Sequence, residues 1–137
     1  MSRTDVLTAP RVDTAKRRRR LLVLLLVLTI PIFLFTVYTW ITLNFAYSTG
    51  ERIGYLQKVS RKGWICKTWE GELAMTTVPG TAPQIFAFSI KDDGVARRVQ
   101  ESAGQRVVLA YAQHKGVPGS CFGETEYFVT GVRPVGP

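Results

Sequence analysis

Residues 21–47 read LLVLLLVLTIPIFLFTVYTWITLNFAY, and residues 16–20 directly before them read KRRRR. The apolar run carries no charged side chain over its 27 positions. As a helix rising 1.5 Å per residue it would be roughly 40 Å long, whereas a hydrocarbon core of about 30 Å needs only about 20 residues. The run therefore predicts a single N-terminal transmembrane helix, tilted or with one end among the headgroups. A cleaved signal peptide has a shorter apolar region ending in a small-x-small site. Here the one candidate exit, Asn44-Phe45-Ala46, lacks the first small residue. Tyr38, Trp40 and Tyr47 lie toward the far end, where amphipathic rings favour the interface, and place the exit near Phe45 to Ser48. Pro31 removes one backbone donor inside the span and predicts a kink.

Basic residues are retained on the cytoplasmic side of a membrane. Arg3, Arg11, Lys16, Arg17, Arg18, Arg19 and Arg20 precede the span, against Arg52, Lys58, Arg61 and Lys62 in the first stretch after it. The bias predicts a cytoplasmic tail (1–20), a membrane helix (21–47) and an extracytoplasmic domain (48–137). In a bacterium this means the inner membrane and the periplasm. Of the formal charge of +8, residues 1–20 supply +5 and the rest +3. The tail thus reads as a topology signal drawn to anionic lipid, at about 1 kcal/mol per basic residue near the surface, and not as a nucleic-acid binder. Residues 1–15 show no sustained apolar period, so the tail is expected to be disordered when free.

The part beyond the span is long enough for one small domain. Alternation predicts strands over 52–60, 64–75, 84–90, 106–113 and 126–135. Lys62-Gly63 reads as the turn of a hairpin, Gly71 as a bend in the second strand, and residues 78–83 as a break. Asp92-Asp93 reads as a helix cap, 95–102 as a short amphipathic helix and Gly104 as its terminator. One short helix between strands 3 and 4 of five is the order of an OB-like barrel, whose closure removes the sheet edges. The fold class is a transmembrane helix plus a small mainly-β domain of this kind.

The stretch YSTGERIGYLQKVSRKGWICKTWEGEL, residues 47–73, resembles the juxtamembrane segment of uncharacterised small bacterial single-pass membrane proteins, some of which carry a phosphogluconate dehydrogenase label. The resemblance implies an anchored β domain and no activity. The dehydrogenase label finds no support in the residues, because a dinucleotide fold needs a strand-linked G-x-G-x-x-G and a far longer domain.

His114, the one histidine, falls in a polar loop and reads as a solvated side chain; alone it builds neither a triad nor a histidine-rich metal site. Cys66, Cys121 and His114 lack the paired spacing of a zinc site. In an oxidising compartment the two cysteines read either as a disulfide or as two separate buried thiols. Glu70 and Glu72, like Glu124 and Glu126, share a strand face at i and i+2. Such pairs can hold a cation or share a proton, and otherwise form a solvent face balanced by Lys58, Lys67 or Arg106. On an unbroken strand Trp64 and Trp69 face opposite sides, one toward the core and the other, with Tyr55, a docking anchor or a ring on the membrane surface. Thr36 and Thr39, with Thr29 and Thr42, offer hydroxyls to neighbouring helices.

These features predict a non-enzymatic accessory subunit that fastens or stabilises a larger membrane complex, whether respiratory, transport, secretory or photosynthetic (reaction-centre or light-harvesting). Its expected partners are membrane lipid and other membrane subunits, with no cofactor, no metal and no nucleic acid. The alternatives are an envelope sensor or ligand-binding module, which needs a concave apolar pocket, and a small metal-dependent hydrolase, which needs the acidic pairs to converge.

Overall fold

Leucine-rich sequence without a single acidic residue passes directly into helix α1, Thr14–Asn44, in the computed structural model, which describes residues 13–75 and 78–136. Arg3 and Arg11 lie outside the described residues, as does the expectation of disorder over residues 1–15 as far as residue 12, while Thr14 and Ala15 are already helical. The helix is long and apolar enough to cross a membrane, with a mean hydropathy of 2.8 over its central window. It starts at Thr14, two residues before the basic block, and Pro31 lies inside it without ending it. Its side chains are exposed almost throughout, so its apolar surface packs against no protein core among the described residues.

The chain forms two compact units, one reaching to Val37 and the other running from Tyr38 to the C-terminus, so the last two turns of α1 belong with the β domain. The second unit holds β1 Ser48–Lys62, β2 Thr68–Met75, β3 Gln84–Ile90, α2 Asp93–Glu101, β4 Arg106–Gln113 and β5 Tyr127–Pro134. The strands hydrogen-bond in the order β1-β2-β3-β5-β4, and β1 closes the barrel by pairing with β4 through Ser48–Tyr55 and with β2 through Gly54–Lys62. A bulge between Leu56 and Lys58 lets one long strand serve both partners, since an extra residue bends the strand and steepens its twist. The Leu56 backbone is satisfied by the turn after α2, its N–H donating to Gln105 O and its carbonyl accepting from Gly104 N.

Inward-facing Leu56, Leu73, Phe86, Phe88, Val107, Leu109 and Val129 fill the barrel, and Val95, Ala96 and Val99 of α2 join them. The Asp92 carboxylate starts this helix by accepting from Val95 N at 2.7 Å, which satisfies one of its orphan donors. Full burial of a ring such as Phe88 stabilises by about 1.5–3 kcal/mol. Gly71 is not the bend expected of it: it sits inside β2 because a Cβ there would collide with the Phe88 ring.

The second strand is shorter than its alternation predicts. Residues 63–67 leave the sheet as a loop, with β1 extended to Lys62 and β2 begun only at Thr68. Gly63 turns there with φ +128°, in the region that side chains avoid, and its Cα approaches the Cys66 carbonyl too closely for any Cβ. Trp64 and Trp69 therefore do not share a strand.

Candidate functional site: the loop between β4 and β5

The loop over residues 114–126 lies across the outer faces of β2 and β3 and is tied down on three sides. Cys66 and Cys121 form a disulfide, with Cα atoms 4.9 Å apart and 55 positions between them in sequence. This bond joins the loop to the 63–67 tip.

The second tie is Glu70. Strand alternation places it outward with Glu72, yet it is 95% buried because the loop covers it. This corrects the expectation of a solvent face. Its carboxylate accepts from Ser89 Oγ at 2.6 Å and from Glu124 N at 3.1 Å. Ser89 Oγ in turn accepts from Thr125 N at 3.1 Å, and the Thr125 hydroxyl donates to Tyr127 O at 3.0 Å. Glu70, Ser89 and Thr125 thus each have partners, which avoids a desolvation cost of about 1–3 kcal/mol apiece, whereas Ser60 Oγ beside them is buried without one among the described residues. Glu70, Glu72 and Glu124 line one small cavity of about 50 Å³ together with Lys58 and Lys62, while Glu126 accepts from Gln113 elsewhere. Lys62 Nζ stands 3.8 Å from Glu124 Oε2, so the cavity carries both signs of charge.

The third tie is the end of α1. An α-helix leaves its last four carbonyls without partners inside the helix. Here His114 Nδ1 donates to Thr42 O at 2.9 Å and Lys91 Nζ to Leu43 O at 3.2 Å. The Tyr38 hydroxyl returns the contact by donating to Gly116 O at 2.9 Å. A cation at a helix C-terminus also meets the negative end of the macrodipole. Burial pulls the Lys91 ammonium below its ordinary pKa, and the Phe128 ring lies 4.6 Å beneath it. His114 packs edge-on to the same ring and is 93% buried, contrary to the solvated side chain that a polar loop suggests. Its burial comes from the helix end laid against it, a contact between positions 72 apart that no local pattern announces.

Of the expected interface residues, Trp64 projects fully into solvent, as does Ile65 beside it, at 102% and 97% relative exposure. Tyr55 is about half exposed. Trp69 instead packs against the core, and its Nε1 donates to Asp93 Oδ1 at 2.7 Å. The Thr36 hydroxyl bonds back to Ile32 O at 2.8 Å, and Thr39 Oγ1 is shielded without a partner among the described residues. Thr36 thus spends its hydroxyl proton within its own helix, whereas the Thr39 hydroxyl is unpaired among the described residues. Lys16 is held by Asp13 at 3.1 Å, and Arg17 to Arg20 line the exposed first turns of α1.

Two features had no clear signal in the sequence. Arg52 stacks its guanidinium 4.3 Å from the centre of the Phe86 ring and within 5.6 Å of Tyr111 and Tyr127. On the outer wall, register sets Tyr55 beside Ala74 and Ala74 beside Ile85, with Ile53 two residues from Tyr55 on the same face. Among the described residues no group of three or more histidine, cysteine or acidic side chains is arranged to hold a metal ion.

No curated protein matches the chain. The model of a domain of unknown function, DUF8785, matches residues 46–136, which begin where α1 has just ended and take in the whole barrel, both tied loops and the disulfide. The chain belongs to the DUF8785 family.

Proposed function

We propose that this protein is a non-catalytic accessory subunit, anchored by α1 in the bacterial cytoplasmic membrane with its basic tail inside, whose periplasmic OB-like barrel fastens a larger membrane complex. The OB assignment is supported by the strand order and by the helix between β3 and β4. The observation that carries the functional reading is the apolar row Ile53, Tyr55, Ala74 and Ile85 on the outer wall. Ile53, Tyr55 and Ile85 are each about half exposed. A barrel that is closed and filled needs none of them for its fold, and contiguous apolar surface on an outer wall marks an interaction site.

The carboxylates support the same reading, because Glu70 uses one oxygen on the loop at Glu124 N and the other on Ser89 of β3, which itself accepts from the loop's Thr125 N. Arg52, partly buried among aromatic rings, likewise serves the barrel end. The complex can be respiratory, secretory, transport or photosynthetic.

Mild detergent extraction from the native membrane followed by identification of what copurifies is the direct test. The chain is expected in a complex, and Tyr55→Ala with Ile85→Ala should weaken association by about 2 kcal/mol or more without unfolding the barrel. A monodisperse chain recovered with no partner would sink the reading.

A further inference from the structure

Trp64 and Ile65 stand at the tip of a loop that contributes no side chain to the barrel core. Exposing a tryptophan and an isoleucine this completely forgoes the burial that ordinarily stabilises such side chains. Yet the loop is held firmly. Gly63 sets the turn, and Cys66, next to Ile65, is bonded to Cys121. The pair is thus displayed on a stiff support, which lowers the ordering cost of placing it in another medium.

The tip lies at the end of the domain where α1 ends. Leu43 of the last helical turn lines the same surface depression as Arg61, Lys67, Trp69, Lys91, Cys121 and Phe122. From this depression the chain reaches Ile65 through one cysteine. A bilayer is therefore already present beside the loop if α1 spans it, and this rests on the membrane-anchor reading above.

The charge around the tip has one dominant sign. Arg61, Lys62 and Lys67 flank it in sequence, and Lys91 shares the depression with Arg61 and Lys67, against one carboxylate there, Asp93, which accepts from Trp69 Nε1. Among these, Lys62 has a carboxylate within ion-pair distance, Glu124. Tryptophan favours the headgroup region, isoleucine the acyl boundary, and basic side chains the anionic phosphates between them.

We propose that the Trp64–Ile65 tip is a second, interfacial membrane contact that dips into the anionic lipid surface beside the exit of α1. Lipid fits better than a protein groove here because the basic ring matches phosphate headgroups and the apolar tip is short. Two anchors at one end of the barrel would limit its swivelling on a single helix and present the Ile53–Tyr55–Ile85 wall in a defined direction.

The full chain is reconstituted into vesicles containing phosphatidylglycerol and a phosphatidylcholine brominated near the headgroup end of its acyl chains. Tryptophan fluorescence is compared between the wild type and Trp64→Phe. The Trp64 difference spectrum should be blue-shifted and lose about half or more of its intensity to the bromines. Replacing phosphatidylglycerol with neutral lipid, or changing Arg61, Lys62 and Lys67 to Gln, should restore most of that intensity. A red-shifted Trp64 component that the bromines do not quench would overturn the proposal, as would one that becomes blue-shifted only when a partner protein is added. Flotation of the same samples reports separately on α1. A chain that floats with an unquenched Trp64 defeats the tip alone, whereas a chain that fails to float defeats the anchor.

Discussion

The imidazole Nδ1 of His114 lies 2.9 Å from the carbonyl oxygen of Thr42, so the residue just after β4 caps the end of α1. Since a carbonyl only accepts, Nδ1 carries the proton in this bond and the ring is oriented by it. The helix end is thereby tied to the barrel by a buried hydrogen bond, and Lys91 adds a second, more exposed one.

His114→Ala removes a buried ring from its contact with Phe128 and leaves the Thr42 carbonyl without its donor. The expected loss is about 2–4 kcal/mol of domain stability, from the cavity and the orphaned acceptor together. Lys91→Met should cost less than about 1 kcal/mol, because water reaches that end of the contact. Denaturant titration in detergent, followed by near-ultraviolet circular dichroism, separates the two. Equal midpoints for both variants would show that His114 does not hold the helix end.

The disulfide should be present in protein from an oxidising compartment. Alkylation of the unfolded, unreduced chain is expected to find no free thiol, and two per chain would contradict the bond. Cys66→Ser with Cys121→Ser opens a loop of 55 positions, so the chain-entropy relation predicts a loss of roughly 4 kcal/mol. The same change should loosen the 63–67 tip, seen as faster amide exchange there.

Glu70→Gln and Glu72→Gln should differ although the two residues share a strand face. The amide at position 70 places an NH2 where Ser89 Oγ or Glu124 N now donates, which leaves a buried donor unmatched at about 1–3 kcal/mol. The change at Glu72, which is only partly buried, should stay within about 0.5 kcal/mol. Neither variant should abolish association with a partner. Loss of function in the double variant, with folding and assembly intact, would instead favour an acid/base or cation site.

Topology follows from the basic block. A reporter fused after Pro137 should behave as periplasmic, and cytoplasmic activity would reverse the proposed orientation. Neutralising Arg17, Arg18, Arg19 and Arg20 leaves Arg3, Arg11 and Lys16 against Arg52, Lys58, Arg61 and Lys62, so a mixed population of orientations is the expected outcome.

The long apolar helix and the order of strands and helix were legible because each rests on a local pattern. An uncharged run of residues 21–47 needs no tertiary partner to read as a span, and alternation around Leu73, Phe86, Phe88 and Leu109 already separates core from outer wall. Asp92 likewise announces α2 from one side chain and the N–H three residues on. What lies over the outer wall has no such signature. Glu70 faces outward by alternation, and only the loop laid across it makes it a buried acceptor; His114 looks like a loop residue until the end of α1 covers it. Trp64 looks like a strand residue until Gly63 and the Cys66–Cys121 bond lift it out of the sheet. Periodicity determines which way a side chain points, but its burial depends on whatever distant segment packs there, and that was decided by the tertiary structure alone.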